Sequence, residues 1–430
     1  MIKNMLTHWR LSYQHPRMAQ ATLPAHAVAC PDCGLKVDLP DMHQGQSCGC
    51  PRCGYALVRI EYNPYSGPIS YALASLVLLW LSAWFLFMGA NIGGSKIEIS
   101  LVGVMNILHQ QDYGYLANAT LVLVFLTPLI FSLLSIYVFT ALRLRKVVPY
   151  MPQAIKILMH LKPWIMVDVF IVSVLVASVK MQSLALLSFG PGFWLVAALS
   201  ICLIRTSFFV RAHWAHAQVL MLQQRPLPNH EVGNISCTDC YFSNPAEHSH
   251  CQVCASKLSR RKPKSIQKAT ALLIGAAILY LPANILPIMI TKSVFFYQAS
   301  NILDGVVTLW QSGDAPIAII IFVASILLPL TKMMALMLLL LSANYKPIAS
   351  AKRLTSIYRF IEFVGRWSMI DVFVIIILMA LLQVPLATIL PGPAVVYFCA
   401  VVFISMVAAM VFDIRLIWDK HDAQETGTSL

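Results

Sequence analysis

Eight of the eleven cysteines fall in four C-x-x-C pairs: Cys30/Cys33, Cys50/Cys53, Cys237/Cys240 and Cys251/Cys254. Two thiolates on one tight turn converge on a single ion, and two such turns complete a tetrahedral site. The first two pairs are separated by 16 residues and the last two by ten, so each set predicts a small zinc ribbon. Four thiolates leave no open position for a substrate, so the expected Zn2+ is structural, one ion in each of two sites. Cys30-Pro31-Asp32-Cys33-Gly34 and Cys50-Pro51-Arg52-Cys53-Gly54 share the form C-P-x-C-G, whose glycine frees the backbone of the turn and which sets Cys48 aside. In the second ribbon His248 and His250 are alternative ligands, but four cysteines already fill the site. The competing chemistry is thiol–disulfide exchange at the same pairs. No C-x-x-C precedes a histidine, which argues against c-type haem attachment.

A second group of polar residues lies inside apolar runs. Lys332, in Ser325-Ile326-Leu327-Leu328-Pro329-Leu330-Thr331-Lys332, is about nine residues from the nearer end of its run, roughly 14 Å of helix, too far for snorkelling to reach. A buried, paired lysine is expected, with Asp371 as its acid and with Ser325, Ser368 and Thr331 lining the site. Asp371 belongs to Trp367-Ser368-Met369-Ile370-Asp371-Val372-Phe373, whose twin, Trp164-Ile165-Met166-Val167-Asp168-Val169-Phe170, stands 203 residues earlier with five of seven positions identical. Glu362 and Arg366, four apart, suggest that the helix begins well before Trp367, which would remove Asp371 from a helix terminus. Asp168 has the simpler reading of an interfacial carboxylate near a helix N-terminus. Lys180 is placed to snorkel, or with Gln182 and Ser183 to line a polar mouth. The first half has Phe131 where the second has Lys332, so the polar site is expected mainly in the second half.

The elements that carry these residues follow from composition. Of 430 residues 58% are hydrophobic and 11% charged, against about 25% charged in soluble domains, and mean hydropathy is +0.72. This is the composition of a polytopic helical membrane protein. Apolar runs near 69–90, 115–142, 164–179, 187–210, 269–290, 315–341, 367–382 and 395–417 predict eight spans. Pro282 and Pro287 predict a kinked or broken end to the fifth. Gly103, Val104, Pro128 and Cys50/Cys53 recur as Gly305, Val306, Pro329 and Cys251/Cys254 at offsets of 201–202, so the whole unit is duplicated in parallel.

The net charge of +13 is concentrated beside the spans, in Arg143–Lys146, Arg205–Arg211, Arg260–Lys264 and Lys346–Arg366, and indicates a membrane surface rather than nucleic acid. All four stretches fall on one side, which is expected to be cytoplasmic and to hold both ribbons and both termini. No apolar core marks residues 1–26 as a cleavable signal. The expected organisation is a polar leader at 1–29, ribbon 1 at 30–60, a four-span unit at 61–225, ribbon 2 at 230–262, a second four-span unit at 263–420 and a polar tail at 421–430. The fold class is all-α and polytopic, in two tandem repeats. Nothing resembles a nucleotide-binding loop, so ATP-driven transport is disfavoured, and the chain is not expected to be an enzyme.

The paired ribbons, the duplicated W-x-M-[IV]-D-V-F, Leu281-Pro282-Ala283-Asn284-Ile285-Leu286-Pro287 and Ala324–Lys332 resemble the paraquat-inducible protein A family, most closely its lipophilic envelope-spanning tunnel protein A branch. The resemblance runs from Cys30 to about Trp418. It implies tetraspanin-like membrane units in a Gram-negative inner membrane. It further implies a partner built of mammalian-cell-entry domains that forms a tunnel across the periplasm, transfer of phospholipid or other lipophilic molecules, and a role in envelope integrity. The competing functions are a membrane thiol/redox enzyme and a scaffold that only anchors the tunnel partner.

Overall fold

The computed structural model describes residues 22–92, 95–181, 186–228, 234–293, 297–311, 313, 315–345, 349–381, 383–384 and 387–425. Ribbon 1 is two hairpins. β1 (His26–Ala29) pairs antiparallel with β2 (Lys36–Leu39), and β3 (Ser47–Gly49) with β4 (Ala56–Arg59); each hairpin turn is a C-x-x-C knuckle.

The first membrane unit begins with α1 (Ser66–Trp84), followed by β5 (Leu86–Ile92), β6 (Ser95–Ser100) and a short helix α2 (Leu101–Gln110). α3 (Gly114–Arg143) recrosses; α4 (Met151–Leu161) and α5 (Val167–Met181) make the third passage; β7 (Leu186–Phe189) leads to α6 (Pro191–Phe209) and α7 (Ala212–Leu222). β8 (Ile235–Ser236) and β9 (Ser243–Asn244) form the hairpin of ribbon 2. The second unit repeats the first: α8 (Ser265–Ile285), β10 (Met289–Ser293), β11 (Tyr297–Ser300), α9 (Ile302–Gln311), α10 (315–344), α11 (Ala351–Trp367), α12 (Ile370–Leu381), β12 (Gln383–Val384), β13 (Ala387–Pro391), α13 (Ala394–Val411) and α14 (Arg415–Glu425). Among the described residues, eight segments are long and apolar enough to cross a membrane, the number that the apolar runs predict.

The duplication extends to backbone detail. In each half the second crossing helix widens into a π-helical stretch just before its proline, at Leu121–Leu126 before Pro128 and at Val323–Leu327 before Pro329. A proline cannot donate to the carbonyl four residues back, and a widened turn accommodates the lost bond. In each half a glycine ahead of the last span presses on the end of the first. A Cβ on Gly190 would lie 2.2 Å from the Leu86 carbonyl oxygen, and one on Gly392 would lie 1.9 Å from that of Pro287. Helix pairs α1/α6 and α8/α13 pack together in their own halves, and α5 packs on α12 across the halves.

Two features depart from the sequence reading. Small antiparallel sheets cap the bundle opposite the ribbons, in the orders β6-β5-β7 and β11-β10-β13-β12. Alternation such as Lys96-Ile97-Glu98-Ile99 carries that signal, masked by the length of the neighbouring apolar runs. The helix ahead of Trp367 exists, but it does not continue through Asp371. The Ser368 and Met369 amides donate back to Val364 and Arg366, closing α11, and the Phe373 amide donates to Met369, opening α12. Asp371 therefore stands in the first turn of α12, as Asp168 does in α5, and both carboxylates face the favourable end of a helix dipole. α8 runs through Pro282 to Ile285 and ends there, two residues before Pro287.

Candidate metal centres and intramembrane polar site

Each ribbon gathers its four thiols into one buried cluster. All ligand atoms of Cys30, Cys33, Cys50 and Cys53 lie within 4.8 Å of one another, and those of Cys237, Cys240, Cys251 and Cys254 do likewise. Facing Sγ pairs are 3.4–3.6 Å apart. A tetrahedral ion with bonds of about 2.3 Å to sulfur spaces its ligands by about 3.8 Å, so both clusters fit such an ion after a small expansion. None of these cysteines is in a disulfide.

The four knuckles are built alike. The amides of Cys30, Cys50, Cys237 and Cys251 each donate to the carbonyl five residues on. The amides of Gly34, Gly54, Tyr241 and Ala255 each donate to the carbonyl of the cysteine four residues before. This last position is left-handed in every case: φ is +73° at Gly34 and +72° at Gly54, and 64° at Tyr241 and 57° at Ala255. Ribbon 2 thus carries strain that glycine relieves in ribbon 1. One of its sulfurs has two donors, the Asn244 amide group and the Val253 backbone N–H, each 3.4 Å from Cys251 Sγ.

Each ribbon grips the membrane unit of the other half. In ribbon 1, Asp32 accepts from Arg359 Nε of α11 at 2.8 Å, and an Arg359 η nitrogen lies 3.5 Å from Cys53 Sγ. Arg52 pairs with Asp422 and covers the Trp418 ring at 4.4 Å. In ribbon 2, Asp239 pairs with Lys156 of α4 at 3.2 Å. The Cys240 carbonyl lies 3.2 Å from His213 Nδ1 of α7. His213 also stacks on Phe242, and its Nε2 is 2.7 Å from Nε2 of His26. Burial, helped by His26, pushes the His213 pKa down to about 3, so it is neutral at pH 7. The end of α13 is locked by Asp413, which accepts from Arg415 Nε at 2.9 Å, from an Arg415 η nitrogen at 2.8 Å and from the Lys262 amide at 3.0 Å. Sequence reasoning passed over His26, His213, Asp413 and Arg415, because their partners are remote in sequence or lie where the repeat has diverged.

Lys332 is 2% exposed, and its Nζ has no hydrogen-bond partner among the described residues, so the direct hydrogen-bonded pair with Asp371 is not formed. The break at Ser368–Met369 is the reason. Lys332 packs on Gly365 of α11, where a Cβ would lie 3.5 Å from Nζ, whereas Asp371 starts the next helix. Asp371, Ser325 and Ser368 are all buried. Ser368 Oγ donates to the Val364 carbonyl at 3.4 Å, and Thr331, exposed on α10, donates to Leu327 at 2.7 Å. Asp168 has one buried carboxylate oxygen without a hydrogen-bond partner among the described residues. Lys180 belongs to the last turn of α5, and Ser183 and Gln182 lie outside the described residues.

Two four-thiol ribbons, each ahead of a duplicated multi-pass helical unit, define a tandem-repeat integral membrane protein. The chain belongs to the paraquat-inducible protein A family, whose model matches residues 65–219 and 266–422, one match per half. It is 36% identical over 408 residues to the intermembrane transport protein PqiA of Escherichia coli (strain K12), covering 93% of this chain and 97% of that protein. It is 30% identical over 404 residues to the lipophilic envelope-spanning tunnel protein A of the same strain, covering 92% and 91%. A probable intermembrane transport protein of Haemophilus influenzae is 25% identical over 421 residues, covering 95% and 100%. These relatives are named for transport and not for catalysis. No solved structure matches the chain.

Proposed function

We propose that this chain is the inner-membrane subunit of an intermembrane lipid transport system. It passes phospholipid or another lipophilic molecule between the inner membrane and a tunnel partner of mammalian-cell-entry domains, and so maintains the envelope. The ribbons and both termini face the cytoplasm, and each ribbon holds one structural Zn2+. The names of the relatives support intermembrane transport. The observation that carries the site is Lys332, a cation buried inside a span without a hydrogen-bond partner among the described residues. Such a group is costly in a merely structural helix, and here it stands on α10, five residues past the stretch widened at Val323–Leu327. Lys332 and Asp371, with Ser325, Ser368 and Thr331, form the polar site of the second half; Asp168, Lys180 and Ser183 are its lesser counterparts in the first.

The test replaces Lys332 and Asp371 by alanine in the native host. Both variants are expected to reach the membrane and to lose envelope function; full function in both, at normal abundance, would refute the site. Copurification from native membranes is expected to recover the tunnel partner with phospholipid. Elemental analysis is expected to give about two zinc ions per chain, one per four-thiol cluster, which excludes thiol exchange at those pairs.

A further inference from the structure

A cavity of about 330 Å³ opens beneath Lys332, on the ribbon side, where the two halves meet. Lys162 reaches it from the first half; Lys332, Arg359 and Arg366 line it from the second, with Glu362 as the single carboxylate. The cations are not equally committed. Arg359 is held by Asp32 and Cys53 of ribbon 1. Lys162 Nζ donates one hydrogen bond, to the Val210 carbonyl at 3.2 Å, and keeps two hydrogens to give. Lys332 has no acceptor among the described residues. A buried ammonium without an acceptor is strongly unfavourable, and an anion entering the cavity would relieve it.

The shape and the walls narrow the anion's class. At roughly 30 Å³ per water the cavity has room for about ten waters, enough for a phosphate group and part of its ester. Phe363, Met406 and Met410 supply apolar lining, and Phe363 is 55% exposed on α11. A phosphate bound among the cations could therefore leave its acyl chains along that lining. The site is not a residue of the duplication. Gly365 aligns with Lys162 and Lys332 aligns with Phe131, so each half contributes a lysine from a position where the other has none. The small residue at 365 is what admits Lys332.

We propose that this cavity binds the phosphate of an anionic lipid headgroup through Lys162, Lys332 and Arg366. The inference rests on the lipid-handling reading and adds a ligand class and a second group of residues to it. The full-length chain, purified in detergent with both ribbons loaded, is titrated calorimetrically with dihexanoyl phosphatidylglycerol and, separately, with inorganic phosphate. Saturable binding of one lipid per chain is expected, weakened about tenfold in Lys162→Gln and in Arg366→Gln, the loss of one charge-assisted hydrogen bond. It is expected to vanish in Gly365→Leu, which fills the cavity. Metal content and monodispersity identify variants that have folded; Lys162 and Arg366, both half-buried, are the tolerant positions. Absence of saturable lipid binding by the unaltered chain overturns the proposal, as does unchanged affinity in the folded variants. Inorganic phosphate binding as tightly as the lipid overturns the lipid assignment in favour of a soluble phosphate. Lipid transfer between vesicles, measured in parallel with the copurified tunnel partner present, separates the two readings: binding without transfer sinks the transport function alone, and transfer by a wild-type chain that binds no headgroup sinks the cavity alone.

Discussion

Phe170 and Phe373, the last residues of the two copies of W-x-M-[IV]-D-V-F, meet edge to face with ring centroids 5.4 Å apart and planes at 88°. Both are fully buried, and their contact is part of the packing of α5 on α12. The duplicated motif is thus the seam between the halves as well as a marker of each. Phe170→Ala and Phe373→Ala are each expected to destabilise the protein by about 3–5 kcal/mol. A double-mutant cycle in detergent should return a coupling of about 0.5–1.5 kcal/mol, the value of a paired aromatic contact. Additive losses would mean that the halves are held together elsewhere.

Ribbon 2 is the more strained of the two, because Tyr241 and Ala255 occupy the left-handed positions that Gly34 and Gly54 fill in ribbon 1. Ala255→Gly keeps the amide that donates to Cys251 and removes the Cβ penalty, about 1 kcal/mol. Metal release to a chelator is expected to slow in Ala255→Gly, and Gly54→Ala is expected to speed release from ribbon 1. The readout is the rate of chelator-induced absorbance change. Equal rates in all three proteins would show that the turn geometry does not limit retention.

Burial alone would raise the Asp413 carboxyl, but Arg415 and the Lys262 amide and charge outweigh it and hold its pKa below the ordinary 3.8. A carboxylate whose folded pKa is depressed contributes stability that is complete above its unfolded pKa and is lost as pH falls through the folded value. Between pH 7 and about 5 the Asp413–Arg415 lock should therefore leave stability unchanged, with a decline setting in below about pH 4. Asp413→Asn, which strands a buried Arg415, is expected to cost about 3–5 kcal/mol at pH 7 and to flatten that acid limb. Melting temperature against pH for the two proteins checks both statements.

The four-thiol clusters and the eight candidate spans were legible in the sequence because each rests on local spacing: two residues between thiols, or about twenty apolar residues in a run. The repeat was legible for the same reason. The arrangement of the polar site was not. Lys332 and Asp371 are both buried, yet a two-residue break at Ser368–Met369 puts Asp371 on α12 instead of on α11, the helix that Lys332 packs against, and nothing in Trp367-Ser368-Met369 announces that break. The basic cavity was equally hidden, since Lys162 and Arg366 look like interfacial charges until the two halves are brought together. Contacts between halves have no periodicity to betray them; Asp32 and Arg359 are 327 residues apart.

That last contact ties the four-thiol cluster of ribbon 1 to α11, so an ion held there would help to support the proposed membrane site. Arg359 is held by Asp32, the residue inside the first knuckle, and approaches Cys53 Sγ, while its own helix carries Glu362, Gly365 and Arg366 to the cavity. Loss of the ion frees both knuckles of ribbon 1 and removes the anchor of α11. Chelation is expected to raise hydrogen exchange over residues 355–367 as well as in ribbon 1. Arg359→Gln, which keeps all eight thiols, should raise exchange over the same helix with both metals still bound. Arg359→Lys, a point charge without the planar fork, should restore it only in part. If chelation left α11 protected while ribbon 1 opened, the ribbon would be a separate domain and Arg359 a surface ion pair of little consequence.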